Sequence, residues 1–201
     1  VKFLDLLSYV LPEVAGCTDL LVERALRDTL ADLCLRAKVW SEKTYPQNTV
    51  PGVADYDVDL PCCAELVEIK WLAFDNRRLF GVPDETPALG QAPGTPRAYA
   101  QLTPDTVTLV PAPDTAAPLT MTLTLRPTLD GVDFPDWLIT RYQDALLAGA
   151  KARLLMMTGR AWFAPQQALA YQAMYAAEVA RAMYDTAHGA VRGPLRTISQ
   201  H

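Results

Sequence analysis

From Thr18 to Trp40, apolar residues recur every three or four positions: Val22, Leu26, Leu30, Leu33, Ala37 and Trp40. Glu23, Arg24, Arg27, Asp28, Asp32 and Arg36 fall on the other side, so the period predicts an amphipathic helix over residues 18–40. Thr18 is placed to cap its start. Glu23 with Arg27, and Asp32 with Arg36, stand one turn apart, where opposite charges support an exposed face. After Tyr45 the period shortens to two. In ADYDVDLP, Tyr56, Val58 and Leu60 alternate with Asp55, Asp57 and Asp59, the pattern of a half-buried strand. A calcium loop would need Gly at its sixth position and Glu at its twelfth; Leu60 and Leu66 stand there.

Four further strands are predicted, over residues 66–74, 97–102, 106–110 and 119–126. The last reads LTMTLTLR, with Thr on one face and Leu or Met on the other. Asp75-Asn76 suits a hairpin turn. From Val82 to Pro118 the chain holds eight of its 16 prolines, which rules out helix there and favours loops between short antiparallel strands.

Helical periodicity returns at DFPDWLITRYQDALLAGAKARLLMM, where Pro135 suits the first turn. Leu138, Tyr142, Ala145, Gly149, Ala152 and Met156 form a stripe whose small central members would let a partner helix approach closely. Gly159 and Pro165 mark an elbow in MMTGRAWFAP, ending one helix and starting the next. The next helix carries a stripe of Leu169, Ala173, Ala176, Ala180 and Met183, expected to face its partner in an antiparallel hairpin. Trp162 and Phe163 at the elbow, with Tyr171, Met174 and Tyr175 off that stripe, are candidates for a subunit interface, where Tyr and Met are enriched. Core burial is the competing reading. The final stretch, AVRGPLRTISQH, has no helical period and reads as a flexible terminus, while its mixture of Arg192 and Arg196 with Leu195 and Ile198 would also suit a segment ordered on a partner surface.

Composition narrows the chemistry. Half of the 201 residues are hydrophobic and the net charge is -5, a poor match to binding phosphates, which needs clustered Lys and Arg. No apolar run reaches the roughly 20 residues of a membrane span, and Asp5, Pro12 and Glu13 interrupt what a signal peptide would keep apolar. The chain is therefore expected to stay in the cytoplasm where it is made, without membrane contact. Cys17, Cys34, Cys62 and Cys63 show no zinc spacing and read as buried thiols, with one of the Cys62-Cys63 pair facing inward. Two histidines, His188 and His201, are poorly placed for a triad or a metal site. No phosphate loop, nucleophile elbow or zinc-protease motif occurs, so no catalytic residue, metal ligand or cofactor is expected.

The order of these features carries more than any one of them. ERALRDTLADLCLRAKVW, ADYDVDLP, a Pro-rich strand region with GTPRAY and TLVPAP, then GAKARLL and the Trp and Pro of the elbow, resemble a tailed-phage head-to-tail adaptor over residues 18–185. The resemblance implies a structural virion protein at the head-tail junction. It implies a homo-oligomeric ring, usually of twelve copies, beneath the portal protein ring. That ring would carry the next tail component, a nozzle or tail tube protein, and prolong a DNA channel through which DNA passes without specific binding. It also implies a C-terminal arm that meets the portal, with Arg192, Pro194, Leu195, Arg196 and Ile198 as candidates. The expected fold is α+β: an antiparallel bundle of about three long helices, with an inserted antiparallel β-rich subdomain and an extended arm. The expected segments are 1–44 for the first bundle helix and what precedes it, 45–130 for the β insertion, 131–189 for the hairpin and 190–201 for the arm. A virion-associated hydrolase that cuts cell-wall glycan with a carboxylate pair is the alternative.

Overall fold

The computed structural model describes residues 3–83, 92–128, 131 and 134–189. The chain divides after Val39 and after Phe134 into a helical unit, built from both ends, and a β unit between them. In the helical unit α1 spans Phe3–Val10, followed by a 3-10 turn at Leu11–Glu13; α2 spans Asp19–Ala37, α3 Asp136–Arg141, α4 Gln143–Leu155 and α5 Pro165–His188.

Helix α2 buries the face its periodicity marks: Val22, Leu26, Leu30, Leu33 and Ala37. Arg27 and Glu23 pair at 2.7 Å on its outer side, and Arg36 and Asp32 at 3.6 Å. Thr18 stands at the N-cap position without a side-chain capping bond. The helix is shorter than its sequence period suggests. Lys38 adopts a left-handed conformation, its N–H bonds the Cys34 carbonyl, and Trp40 opens a strand.

Helices α2, α4 and α5 converge on Gly149. A Cβ there would overlap the Thr29 methyl of α2 and lie 3.1 Å from Cδ2 of Tyr175 on α5. The missing side chain makes room for both. Tyr175 is buried, and its hydroxyl donates to Oδ2 of Asp32 at 2.7 Å, so the ring fills the crossing while the hydroxyl keeps a partner. Thr29, also buried, turns its hydroxyl to the Ala25 carbonyl at 2.7 Å and its methyl to the glycine.

The β unit is one eight-stranded sheet. Its strands are β1 Trp40–Lys43, β2 Gln47–Asn48, β3 Asp55–Asp57, β4 Ala64–Phe74, β5 Arg77–Val82, β6 Ala98–Thr103, β7 Thr106–Val110 and β8 Pro118–Pro127. The order is β1-β8-β4-β5-β6-β7-β3, with β2 also on β8. Strand β8 pairs with β1, β2 and β4, and buries Leu119, Met121, Leu123 and Leu125 in strict alternation with its threonines until Thr124. Asp75 and Asn76 have φ of 48° and 61°, as a two-residue hairpin turn requires, and they join β4 to β5. Tyr56 of β3 is buried; its hydroxyl accepts from Val50 N–H at 3.0 Å and lies 3.0 Å from the Val53 carbonyl, closing the loop before it.

These findings correct the expected fold. The chain is a mixed α/β protein with an eight-stranded sheet and, among the described residues, five helices; it is not a bundle of three long helices with a small antiparallel insertion. Two physical reasons account for the difference. The single helix expected from Pro135 onward breaks at Tyr142, whose φ of -113° and ψ of 25° lie outside helical geometry, leaving a six-residue and a 13-residue helix. In the sheet, β5 and β6 pair in parallel, with Phe80 opposite Ala98 and Val82 opposite Ala100. Short-range alternation cannot distinguish that arrangement from an antiparallel one.

Replacing Gly149 with Ala tests the crossing by the sign of its effect. Helix propensity alone favours Ala by roughly 1 kcal/mol, whereas overpacking costs about 1–3 kcal/mol. Urea unfolding of Gly149→Ala is expected to show net destabilisation; a stabilised variant would mean that the three helices do not meet there.

Candidate assembly surface of the helical unit

The elbow between α4 and α5 is built from local bonds. Met157 N–H donates to the Leu154 carbonyl at 3.1 Å and Ala164 N–H to the Leu155 carbonyl at 3.0 Å. The Trp162 indole N–H also donates to Leu154 at 3.2 Å. These bonds satisfy carbonyls that the end of α4 leaves without helical partners. Gly159, with φ of 75°, takes the left-handed step, four residues beyond the last helical residue. Trp162 is half-buried, with the Arg160 guanidinium 5.8 Å from its ring centroid. Phe163 beside it is 42% exposed.

The five aromatic and Met candidates do not form one patch. Tyr175 lies in the crossing at Gly149, where burial and the hydrogen bond to Asp32 push its phenol well above the usual range. Tyr171 is half-buried and donates to Oε2 of Glu13 at 2.6 Å. Lys151 of α4 donates to Oε1 of the same carboxylate at 2.6 Å, its ammonium 5.2 Å from the centroid of the Tyr171 ring. Three distant parts of the chain thus meet at one carboxylate. Burial pushes the Glu13 carboxyl up, but the hydrogen bonds from Lys151 and Tyr171 and the lysine charge outweigh it and leave the pKa below its ordinary value of 4.5. The bond to Glu13, then burial, pushes the Tyr171 phenol up to about 12. Met174 is 57% exposed, on a different part of α5.

Helix α5 presents an unexpected side to the core. Its buried residues are Ala168, Tyr175, Val179 and Ala182. The stripe expected to pack inward instead points out: Ala173, Ala176 and Ala180 are exposed, as are Leu169 at 59% and Met183 at 49%. Tyr184 is exposed as well. Size decides the orientation. Gly149 offers a recess that a large ring fills and an alanine stripe would leave empty. The outward stripe carries no charge; Glu178, Arg181 and Asp185 lie to one side of it, where Arg181 pairs with Glu178 at 3.9 Å and Arg141 with Asp185 at 4.0 Å. These groups line a shallow groove of about 260 Å³.

Within the β unit, an open cleft of about 470 Å³ is lined by Thr44, Tyr45, Gln47, Asp57, Asp59 and Met121, among others. It contains acids and hydroxyls, but no Cys, His or Lys among its lining residues. His188 is stacked on Tyr184 with ring centroids 4.0 Å apart, and its Nδ1 lies 2.8 Å from the Tyr184 carbonyl. Among the described residues, no group of three or more His, Cys, Asp and Glu side chains could hold a metal ion, and no helix is long and apolar enough to cross a membrane. Cys17 and Cys34 are buried as expected, but Cys62 is exposed and Cys63 half-buried. The tight turn before β4 keeps this pair out of the core. Arg192, Pro194, Leu195, Arg196 and Ile198 lie outside the described residues.

The family model described as SU10 adaptor protein matches residues 1–197, spanning both units and the whole helical hairpin. The chain belongs to the SU10 adaptor protein family. This is a phage head-to-tail adaptor family, and its members are structural components of the phage. No curated protein matches the chain. The matched span contains Arg192, Pro194, Leu195 and Arg196 and stops one residue before Ile198.

The Glu13 cluster gives this adaptor a pH-dependent tie. Because the carboxyl pKa is depressed in the folded state, its stabilisation is complete above the ordinary value and is lost as pH falls through the folded one. Glu13→Gln is therefore expected to lower stability at neutral pH, with the gap to the parent closing as pH falls below the ordinary carboxyl value of 4.5 and on through the depressed one. Denaturant titrations across that range measure it, and a gap that widens on acidification would contradict the cluster. Tyr171 acts with the opposite sign: its contribution is complete below the ordinary phenol value of 10 and is lost as pH rises through about 12.

Proposed function

We propose that this chain forms a ring beneath the portal protein, joins the capsid to the next tail component, a nozzle or tail tube protein, and prolongs the channel through which DNA passes. Membership of the adaptor family across residues 1–197 carries the reading. The uncharged outer stripe of α5 supports it. A cyclic ring needs contacts between two different faces of each subunit, and Leu169, Met183 and Tyr184 supply an apolar face with its core side already occupied. Phe163 and Met174, both exposed, are the members of the candidate set best placed to touch a neighbour. Trp162, Tyr171 and Tyr175 would act through the hairpin they hold in shape.

The portal contact is assigned to the C-terminal arm, through Arg192, Pro194, Leu195, Arg196 and Ile198, and the copy number to twelve. A net charge of -5 per subunit suits a passage that repels phosphate instead of binding it. The working site of the protein is then the junction itself, in the virion.

Two experiments test the assembly. Mixed with the cognate portal particle, the purified chain is expected to form rings visible by electron microscopy, and deletion of residues 190–201 to abolish its capture. Leu169→Asp with Met183→Asp is expected to leave the circular dichroism and thermal unfolding of the free chain close to the parent, because both sites are exposed, while preventing ring formation. Unimpaired rings from the double variant would remove α5 from the interface, and absence of rings from the parent chain on portal particles would overturn the adaptor reading.

A further inference from the structure

Cys62 and Cys63 are left unused by the adaptor reading, and they are built into an unusual corner. They lie in the turn before β4, closed by Ala64 N–H donating to the Pro61 carbonyl at 3.2 Å. Their sulfurs are 3.2 Å apart, one thiol donating to the other. Cys63 has φ of 66°, a left-handed conformation that a residue with a side chain rarely adopts. Other contacts brace it there. Thr128 donates its N–H to the Cys63 carbonyl at 3.0 Å and its hydroxyl at 3.4 Å. Gly131 lies so close that a Cβ on it would be 2.9 Å from both Cβ and the carbonyl oxygen of Cys63. The backbone is therefore clamped in the conformation that places the two thiols side by side. Access separates this pair from the other thiols: Cys62 is exposed and Cys63 half-buried, whereas Cys17 and Cys34 are buried.

We propose that Cys62 and Cys63 form a reversible modification site, a vicinal dithiol that a peroxide closes to a disulfide within the chain. Cys62, the more exposed sulfur, attacks one peroxide oxygen; the O–O bond breaks, one water leaves and a sulfenic acid forms. The Cys63 sulfur then attacks the Cys62 sulfur; the S–S bond forms, the S–O bond breaks and the second water leaves. Two thiols lose two electrons and two protons, and one peroxide is reduced to two waters. Adjacent Cα atoms are only about 3.8 Å apart across a trans peptide, short of the roughly 4.4–6.8 Å that disulfides usually span. The closed ring is strained and readily reduced by a dithiol, which makes the modification reversible.

The test uses the full, fully reduced chain and one equivalent of hydrogen peroxide, followed by intact mass and peptide mapping under non-reducing conditions. The expected product is a monomer lighter by two hydrogens, with the link mapped between Cys62 and Cys63 and both thiols restored by dithiothreitol. Cys62→Ser and Cys63→Ser, checked for folding by circular dichroism, are each expected to lose the internal link; Cys63→Ser should yield a sulfenic acid on Cys62 that dimedone traps, whereas Cys62→Ser, lacking the attacking sulfur, should leave Cys63 a thiol. Disulfide-linked dimers in place of internal closure, sulfinic acid on a single sulfur, or unreacted thiols in the parent chain would each overturn the proposal, whatever the variants do.

Discussion

The close approach of three helices at Gly149 is the constraint on which the helical unit depends. A residue without a side chain on α4 receives a threonine methyl from α2 and a tyrosine ring from α5. Anything larger is excluded from that spot, because even a Cβ there would overlap the Thr29 methyl. The recess also chooses its occupant. Tyr175 fills it because its ring is flat and its hydroxyl reaches Asp32, so a polar atom enters the interior without losing a hydrogen bond.

From that choice follows the outward face of α5. With Tyr175 turned in, Leu169, Ala173, Ala176, Ala180 and Met183 are turned out. The same rotation brings Tyr171 over Glu13, where Lys151 completes a cluster linking the N-terminal turn, α4 and α5. A helix held by a filled recess at its centre and a charge-assisted hydrogen bond towards its start would be a firm support for the proposed assembly face, because its orientation would not need to be set again on binding.

The β unit depends on a different element. Strand β8 is where β1, β2 and β4 all pair, and its alternation of Leu or Met with Thr places one apolar row against the core. The pairing of β4 shifts register twice along its length, which bends the strand. Thr128, just past the end of β8, then braces the Cys62-Cys63 turn just before β4 begins.

Local periodicity was enough to mark α2, the alternating face of β8 and the Asp75-Asn76 turn, since each rests on the geometry of consecutive residues. The ordered combination of motifs was also sufficient to suggest the adaptor family. It could not show that the chain leaves helix at Lys38 and again at Tyr142, that β5 and β6 run parallel, or which side of α5 faces in. Those outcomes depend on partners far along the chain: Glu13 is separated from Lys151 by 138 positions and from Tyr171 by 158. On α5 the sequence offered an alanine-rich stripe and, off it, a second apolar set of Tyr171, Met174 and Tyr175. Only the tertiary structure decided between them, because the shape of the recess at Gly149 gives the larger side chains their packing advantage.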